Sequence, residues 1–524
     1  MTTASQIAGR TIKSVNPATG AVLRQIECAS DADVREAVER ARRAQPEWNA
    51  LGVERRIEIL QRFQRVLFDR KTEIARVITE EAGKPYVEAL LTEVLIVLDS
   101  VRFLVENAFG FLRDEVVPHG NPAMKAKRGR ILREPHGVIG IISPWNYPFS
   151  TPAAETLAAL TTGNAVVLKP SELTPQTALE LAKLLHESGI PDDAFQVVIG
   201  DGAVGAALLE SPVDKVVFTG SVTTGRLIAQ ACAARLIPVV LELGGKDPMI
   251  VLDDADIDVA SSAAVWGAFM NAGQTCLSVE RCYVHHALYA NFLDACVEKT
   301  RKLSVGNGMD PKIEVGPMIH EKQLKIVEAH VEDARARGAQ VLAGGSRLLG
   351  KGPNFYAPTV IAGVTHDMLI MREETFGPVL PVASFETDEQ AIELANDSEF
   401  GLAASVWTRD RRRGEALARK IHAGTVMVND VLSCFGISEA PHGGMKSSGI
   451  GRTHGRFGME EMVRAKYVDI DLVPGMKKVW WYGYGESFAR QMEGFVDLLF
   501  ARGLGKRMTG GVRSAGAVKR EKKL

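Results

Sequence analysis

Short apolar runs alternate with helical stretches between residues 137 and 242, and this alternation is the strongest constraint on the fold. Strands and helices at this spacing form right-handed crossovers, which build a parallel sheet covered by helices on both faces. The predicted strands are Gly137–Ile142, Ala165–Lys169, Phe195–Ile199, Lys215–Thr219 and Pro238–Glu242. Because ligands of such sheets bind beyond the carboxyl ends of the strands, the residues that follow these runs are the first candidates for a site.

A chain of 524 residues is too long for one ordinary hydrophobic core, so two or three domains are expected. A second α/β pattern extends from about Gly245 to Gly443, and Lys466–Leu472 is a further candidate strand. Pro118 to Arg133 is rich in Gly, Pro, Lys and Arg, and this composition is typical of a projecting hairpin. We therefore divide the chain into residues 1–114 with 134–243, residues 244–450, residues 115–133 with 451–473, and an extension at 474–524.

Composition excludes several classes of partner and compartment. The net charge of −2 gives no reason to expect nucleic acid or an anionic membrane as a general partner. Six cysteines without a CxxC pair show neither a disulfide framework nor a zinc site, which favours a reduced, cytoplasmic compartment. The N-terminus has no apolar signal core, and no run of about 18 uncharged apolar residues occurs.

Cys276 lies in a turn rich in Gly, Gln and Thr, between an apolar helical run and a strand-like segment. Taken alone, such a cysteine is more often a small buried hydrophobic residue than a nucleophile. A reactive thiol needs a base and donors that stabilise an oxyanion. Asn146, held between two prolines at the end of a strand, offers an amide N–H, and Glu242 ends an apolar strand, where partial desolvation raises the pKa of a carboxyl and suits a general base.

Two glycine-rich turns could hold a phosphate. Residues 200–205 match GxGxxG, but no acidic residue ends a strand about 20 residues later, so an ordinary tight turn is the alternative. Residues 220–225 follow a strand and open a helix, whose positive end could face a pyrophosphate, or they form only a capping turn. Lys169 and Glu172 could grip a ribose, and Glu172 would repel a 2′-phosphate and favour NAD, unless the two are a surface salt pair.

Together these motifs resemble the aldehyde dehydrogenase superfamily over about residues 15–470. The sequence around Cys276 is similar to that of the succinate-semialdehyde-like and broad aliphatic branches of this superfamily. The motifs that carry the resemblance, in chain order, are Ser143-Pro144-Trp145-Asn146, Lys169-Pro170-Ser171-Glu172, Phe218-Thr219-Gly220-Ser221, Glu242-Leu243-Gly244-Gly245-Lys246, Gly273-Gln274-Thr275-Cys276 and Glu373-Glu374-Thr375-Phe376-Gly377-Pro378.

The resemblance implies an α/β fold with a Rossmann-like parallel-sheet cofactor domain, a second α/β catalytic domain and a β-hairpin/strand oligomerisation element. It further implies a homodimer or homotetramer that uses NAD, with NADP possible and without a metal. Cys276 would be the nucleophile, Glu242 the base, and Asn146 the oxyanion donor beside the backbone N–H of Cys276. The implied cofactor-binding positions are Ser143, Trp145, Lys169, Glu172, Gly220, Ser221, Gly225, Leu243, Gly244, Glu374 and Phe376.

The expected reaction is oxidation of an aldehyde to the carboxylic acid with reduction of NAD(P), through a thiohemiacetal and a thioester on Cys276. Glu242 favours water over coenzyme A as acyl acceptor, since superfamily members that acylate coenzyme A lack a glutamate there. A hydrophobic or aliphatic aldehyde ranks ahead of succinate semialdehyde, because no arginine can be assigned to a substrate carboxylate. Cys434, Phe435 and His442, the last at a position where the family more often has phenylalanine, are candidates for shaping the pocket. A coenzyme A-acylating enzyme and a non-catalytic structural protein are the remaining alternatives.

The segment 474–524 extends beyond the usual end of the family. It contains an aromatic stretch at residues 479–484, a candidate amphipathic helix at Phe488–Phe500 and a basic stretch at residues 502–523. Such a series suits peripheral contact with a membrane. The alternative is a helix that packs on its own oligomer, followed by a disordered basic end.

Overall fold

The computed structural model describes residues 9–478 and 480–515, which form two units. The first contains residues 9–114 and 132–466, and the second contains residues 115–131 and the described part of 467–515. Val479 and residues 516–523, which belong to the predicted aromatic and basic stretches, lie outside the described residues. None of the helices formed by the described residues is long and apolar enough to cross a membrane.

Strands and helices alternate along most of the chain. The strands are β1 (Thr11–Val15), β2 (Val22–Glu27), β3 (Glu115–Val117), β4 (Lys127–Pro135), β5 (Val138–Ile142), β6 (Ala165–Lys169), β7 (Phe195–Val197), β8 (Lys215–Thr219), β9 (Val239–Glu242), β10 (Asp247–Val251), β11 (Val279–His285), β12 (Gln340–Ala343), β13 (Thr359–Ala362), β14 (Val379–Phe385), β15 (Ala403–Trp407), β16 (Thr425–Val428), β17 (Gly449–Ile450) and β18 (Val463–Asp471). The helices are α1 (Asp31–Ala50), α2 (Gly52–Asp69), α3 (Lys71–Ala82), α4 (Tyr86–Ala89), α5 (Leu95–Leu112), α6 (Ser150–Thr161), α7 (Pro175–Glu187), α8 (Gly202–Glu210), α9 (Val222–Ala234), α10 (Ile257–Phe269), α11 (Tyr289–Lys302), α12 (Glu321–Ala336), α13 (Leu369–Arg372), α14 (Asp388–Asn396), α15 (Arg411–Ala418), α16 (Gly455–Glu461), α17 (Glu486–Phe500) and α18 (Leu504–Ser514).

The first sheet has the strand order β17-β9-β8-β5-β6-β7, in which β5 to β9 are parallel. The predicted α/β fold is thereby confirmed, and β6 and β8 have the predicted bounds. Strand β7 ends at Val197 rather than Ile199, and β9 begins at Val239 rather than Pro238. Every residue of β5 and β6 is buried, which explains why these strands are continuous apolar runs.

The second sheet has the order β12-β13-β14-β11-β10-β15-β16 and is parallel except for the edge strand β12. Its strand β11 begins directly after the turn that holds Cys276. The first sheet contributes the carboxyl ends of its strands to the same region, since β9 ends at Glu242. The candidate site therefore lies beside the carboxyl end of β9 and the amino end of β11.

The boundary of the second unit differs from the expected start at residue 451. Strand β17 pairs with β9, and α16 packs against α6, so residues up to 466 belong with the first unit. The second unit contains the sheet β18-β4-β3, in which β3 and β4 are antiparallel, and the helices α17 and α18. The predicted amphipathic helix corresponds to α17, whereas part of the basic stretch, expected to be disordered in one interpretation, forms α18.

Candidate active site

The turn before the candidate nucleophile has an uncommon backbone conformation. Asn271, Ala272 and Gly273 have φ angles of 53°, 54° and 72°. Left-handed conformations in residues other than glycine cost about 1–3 kcal/mol each and persist only where the surroundings hold them. The Glu88 carboxylate accepts a hydrogen bond from the backbone N–H of Asn271 at 2.9 Å, and a Cβ atom on Gly273 would lie 2.0 Å from the carbonyl oxygen of Gly377. The turn is therefore held in one shape from two sides.

The Cys276 thiol reaches a cavity but is surrounded by protein. The hydroxyls of the preceding residue, Thr275, and of the buried Tyr147 are 2.9 Å apart, which fixes the segment that carries the cysteine. Burial raises the pKa of the Cys276 thiol well above its usual range, and the carboxyls of Asp247 and Glu374 add to this effect. The thiol is therefore neutral near pH 7, so formation of the thiolate requires transfer of its proton to a base.

Asn146 is tied to the same turn. Its side-chain N–H donates to the carbonyl oxygen of Gln274 at 3.0 Å, and the side-chain N–H of Asn271 donates to the carbonyl oxygen of Asn146 at 3.1 Å. A side-chain amide nitrogen has two hydrogens, and only one is used by the bond to Gln274. The second hydrogen is available to an oxyanion formed at Cys276.

Glu242 is buried, and neither of its carboxyl oxygens has a hydrogen-bond partner among the described residues. Burial raises the pKa of Glu242 well above its usual range, with a smaller contribution from Glu155, as expected for a carboxyl at the end of an apolar strand. A Cβ atom on Gly245 would lie 2.6 Å from the carbonyl oxygen of Cys276. The segment that follows Glu242 therefore passes close to the cysteine turn.

These groups share one cavity of about 760 Å³. The predicted site residues that line it are Trp145, Asn146, Gly220, Ser221, Glu242, Leu243, Gly244, Cys276, Glu374 and Phe376. Phe435 and His442 also line the cavity, whereas Cys434 is buried beside it. The structure thus brings together the three candidate catalytic side chains and most of the candidate cofactor positions.

The other predicted cofactor positions, Ser143, Lys169, Glu172 and Gly225, do not line this cavity. The backbone N–H of Ser143 donates to the carbonyl oxygen of Lys169 at 3.1 Å, and the Nζ atom of Lys169 lies 3.3 Å from the Glu172 carboxylate. A Cβ atom on Gly225 would lie 2.5 Å from the Leu243 side chain, which does line the cavity. Ser143 and Gly225 therefore lie next to residues of the cavity wall, whereas Lys169 and Glu172 lie at the end of β6, one residue further from it.

The two glycine-rich turns have different surroundings. Ser221 caps α9, since its hydroxyl accepts the N–H of Thr224 at 3.3 Å, and the positive end of this helix begins at the cavity. In the GxGxxG turn, Asp201 caps α8 and pairs with Arg10 at 3.0 Å. None of its glycines lines the cavity, so this turn serves as a strand-to-helix connection.

The residues present fit a nicotinamide dinucleotide. The Ser143 hydroxyl is buried without a hydrogen-bond partner among the described residues, so it has a free donor and acceptor. The Glu374 carboxylate accepts the N–H of Gly245 at 2.9 Å. The Trp145 and Phe376 rings are perpendicular with centroids 5.5 Å apart and provide an apolar wall for an aromatic ring. We expect the capped start of α9 to take the pyrophosphate.

Glu280 connects three segments of the site. Its buried carboxylate accepts hydrogen bonds from the Nζ atom of Lys246 at 2.6 Å and from the backbone N–H groups of Thr375 and Phe376 at 3.1 and 2.9 Å. Glu280 itself follows Cys276 in the chain by four residues. One carboxylate therefore joins the segment after the candidate base, the segment after the nucleophile and the loop that carries the candidate cofactor residues.

Sequence patterns did not identify Glu155, which lies in α6 and lines the cavity. The Thr219 hydroxyl donates to one of its carboxyl oxygens at 3.0 Å, and the other oxygen has no partner among the described residues. Burial raises the pKa of Glu155 to about 8. Glu155, Thr453 and His454 also line a second cavity of about 30 Å³, so polar groups connect the two spaces. The only signal in the sequence was a single carboxyl in an otherwise uncharged helix.

Most of the remaining lining is apolar, and sequence patterns did not identify this either. These apolar residues are Leu91, Leu95, Ile96, Trp266, Met270, Leu277, Ile326 and Leu432. Leu91, Leu95 and Trp266 are 48%, 53% and 42% exposed and mark the mouth. Leu91 belongs to a π-helical turn, Leu90–Val94, a distortion that often accompanies functional sites. No lysine or arginine occurs among the described residues that line the cavity.

Comparison with known proteins agrees with this geometry. Residues 3–468 match the model of the aldehyde dehydrogenase family. The chain is 42% identical over 492 residues to a 4,4′-diapolycopene aldehyde oxidase of a Methylomonas species, covering 94% of this chain and 91% of the relative. It is 38% identical to a mitochondrial succinate-semialdehyde dehydrogenase of Oryza sativa subsp. japonica, and the match covers 88% of this chain and 86% of the relative.

A solved structure has the same fold. The NAD⁺ complex of an aldehyde dehydrogenase from Bacillus cereus superposes with a TM-score of 0.85 at 37% identity, covering 89% of this chain and 94% of that one. The Methylomonas match of 492 residues in a chain of 524 must extend to residue 492 or beyond, so it includes part of the C-terminal segment that the family model, ending at 468, leaves out. The chain therefore belongs to the aldehyde dehydrogenase family of NAD(P)-dependent oxidoreductases.

Proposed function

We propose that the protein oxidises an apolar, aliphatic aldehyde to the carboxylic acid, with Cys276 as nucleophile, Asn146 as oxyanion donor and Glu242 as base. The observation that carries this proposal is the meeting of these three side chains in one largely apolar cavity. A non-catalytic protein would not need a buried carboxyl without partners beside a thiol in a strained turn.

Each residue has a defined task. The Cys276 thiol first gives its proton to water, and the sulfur then adds to the aldehyde carbon. The resulting oxyanion accepts hydrogen bonds from the Asn146 amide and the backbone N–H of Cys276. When bound, NAD(P) accepts a hydride. Loss of that hydride leaves a thioester on Cys276. Glu242 then takes a proton from water, which attacks the thioester carbon, and the carboxylic acid leaves as the sulfur is regenerated.

We infer that NAD is preferred. Lys169 and Glu172 lie together at the end of β6, and a carboxylate at a ribose site repels a 2′-phosphate. Ser143, Trp145, Gly220, Ser221, Gly225, Leu243, Gly244, Glu374 and Phe376 are the other residues proposed to hold the cofactor. NADP remains the second candidate, since Glu172 is partly exposed and could turn away.

The substrate class follows from the lining. Four carboxyl groups, those of Asp99, Glu155, Glu242 and Glu374, border the cavity, and the described lining residues include no lysine or arginine. The carboxylate of succinate semialdehyde would enter this desolvated, largely apolar site without a cationic partner among the described lining residues, which is unfavourable. The Methylomonas relative is named for an aldehyde of diapolycopene, which favours an apolar substrate. The semialdehyde dehydrogenases among the relatives favour the alternative.

A panel of aldehydes tests both the reaction and the substrate class. NADH and NADPH formation would be followed with short, long-chain, aromatic and carboxylated aldehydes. We expect kcat/KM for long aliphatic aldehydes to exceed that for succinate semialdehyde by about tenfold or more, a difference of about 1.4 kcal/mol. The reverse order would identify a semialdehyde dehydrogenase, and stimulation by coenzyme A would identify an acylating enzyme. The proposed setting of this activity is a cytoplasmic homodimer or homotetramer.

A further inference from the structure

Two helices near the C-terminus leave an apolar stripe exposed. Leu504, Met508 and Val512 of α18 follow one another at intervals of four residues and are 78%, 67% and 77% exposed. Phe500, the last residue of α17, is 75% exposed. Residues four apart lie on one side of a helix, so Leu504, Met508 and Val512 present an apolar face of α18 that the described residues leave uncovered. Together with Phe500 at the end of α17, they are here called the C-terminal stripe.

The two helices cannot rotate freely to hide this stripe. A Cβ atom on Gly510 would lie 2.6 Å from the carbonyl oxygen of Gly494 and from the backbone nitrogen of Leu498. A Cβ atom on Gly494 would lie 2.5 Å from the Cβ atom of Arg513. The helices therefore cross at van der Waals distance through glycine, on the buried side of α18, and the stripe lies on another side.

Positive charge surrounds the stripe. Residues 501–524 contain eight lysines and arginines and one glutamate, in a chain whose net charge is −2. In the described part, Arg502, Lys506, Arg507 and Arg513 are all exposed. An aromatic cluster precedes the helices, with Trp481, Tyr482 and Tyr484 52%, 83% and 58% exposed.

We propose that the C-terminal stripe and its basic flanks bind the surface of an anionic lipid bilayer. Apolar side chains on one helix face enter the boundary between head groups and acyl chains, tryptophan and tyrosine favour the same depth, and lysine and arginine are attracted to anionic head groups. A second copy of the stripe would bring like charges together, and nucleic acid offers nothing to the apolar side chains. The proposal does not depend on the substrate or on the reaction.

Flotation of the full-length protein with vesicles tests this inference. We expect the protein to float with vesicles of phosphatidylglycerol and phosphatidylcholine at low salt, and to float far less with pure phosphatidylcholine or at high salt. Met508→Glu with Val512→Glu should abolish flotation. Lys506→Gln with Arg507→Gln should lower the partition coefficient by about 25-fold, at about fivefold for each of the two charges. Leu349→Glu changes a 90% exposed leucine elsewhere and should have no effect.

Three outcomes would overturn the proposal. The first is absence of flotation with the anionic vesicles. The second is flotation that the stripe variant retains. The third is a fall in the mass of the particle in light scattering when Met508 and Val512 are changed, which would show that the stripe is an interface between copies of the chain. Circular dichroism and the unfolding midpoint of each variant establish that a loss of flotation does not come from misfolding.

Discussion

The Nε2 atom of His442 lies 3.8 Å from a carboxyl oxygen of Glu242, and both side chains are buried. Burial lowers the pKa of His442 to about 3, so the imidazole is neutral, and it raises the pKa of Glu242. The Arg452 guanidinium lowers the pKa of Glu242, but burial is the larger effect, so Glu242 accepts a proton more readily than an exposed carboxylate. This environment suits proton removal from water near neutral pH.

Glu242→Gln should slow hydrolysis of the thioester by about 10²–10⁴-fold, because glutamine cannot accept a proton from water. We expect a burst of NADH equal to the amount of enzyme, followed by slow turnover. Hydroxylamine, which attacks a thioester without a base, should restore turnover. Normal steady-state turnover of the variant in water would show that Glu242 is not the base.

Cys276→Ser should remove aldehyde oxidation and also the burst of NADH, because a serine hydroxyl in this cavity is a far weaker nucleophile. The matched change Cys434→Ser alters a buried cysteine beside the same cavity and should retain most of the activity. Single-turnover measurements on both variants make the comparison. Equal loss in the two variants would indicate that both act through packing.

Glu155→Gln should alter how stability depends on pH. The pKa of Glu155 is about 8 in the folded protein and 4.5 as its ordinary value, so between these values the folded state keeps a proton that the unfolded state releases. Wild-type stability therefore falls as pH rises, by up to about 1.4 kcal/mol per pH unit from this group, and glutamine removes this loss. Denaturant unfolding of both proteins between about pH 5 and 8 measures how the free energy of unfolding depends on pH.

We expect the advantage of Glu155→Gln over the wild type to grow with pH across that range. Glu210→Gln, at an exposed position, supplies the control and should follow the wild type. Parallel stability curves for Glu155→Gln and the wild type would mean that Glu155 is already ionised in the folded protein.

Gly225 lies in the first turn of α9, the proposed pyrophosphate site. Gly225→Ala should weaken cofactor binding, because the added Cβ atom would lie 2.5 Å from the Leu243 side chain and would displace this turn. The glycine of the other turn, Gly205, is the matched control, since a Cβ atom there would have its nearest neighbour at 4.0 Å. Titration of NAD by fluorescence should show a raised Kd for Gly225→Ala alone. A raised Kd of Gly205→Ala for NAD would indicate that the GxGxxG turn, residues 200–205, takes part in cofactor binding.

Leu95→Arg should shift the substrate preference towards carboxylated aldehydes, because it places a cation at a mouth that otherwise has acidic and apolar groups. We expect the ratio of kcat/KM for succinate semialdehyde over a long aliphatic aldehyde to rise by about tenfold. Leu349→Arg adds the same charge at an exposed position away from the lining and should leave the ratio unchanged. An unchanged ratio in Leu95→Arg would mean that the substrate does not pass this residue.

Local patterns were sufficient for the strands and the turns that follow them. The bounds of Ala165–Lys169 and Lys215–Thr219 agree with the sequence interpretation, because a strand buried on both faces must be a continuous apolar run. Cys276, Glu242 and Asn146 are proposed as site residues because each ends or precedes such an element within a recognisable motif. The structure adds that all three reach one cavity.

Side chains that approach the site from helix faces were not predictable. Leu91 and Leu95 follow the ordinary spacing of an amphipathic helix, and nothing in that spacing separates a solvent-facing leucine from one at the mouth of a cavity. Glu155 is the one charged residue of α6, and its role depends on Thr219, which is distant in sequence. Both cases depend on tertiary packing, which cannot be read from the helical periodicity of apolar residues or from the secondary-structure propensity of each residue.

The three hydrogen bonds accepted by Glu280 have a consequence for how this enzyme can diverge. A substitution that moves one of the three segments joined by this carboxylate also disturbs the other two. We therefore expect the residues of these three segments to change together in evolution. The wall with Leu91, Leu95 and Trp266 makes none of these bonds. New substrate preferences can therefore arise there by single substitutions, while the chemistry inherited with Glu280 stays the same.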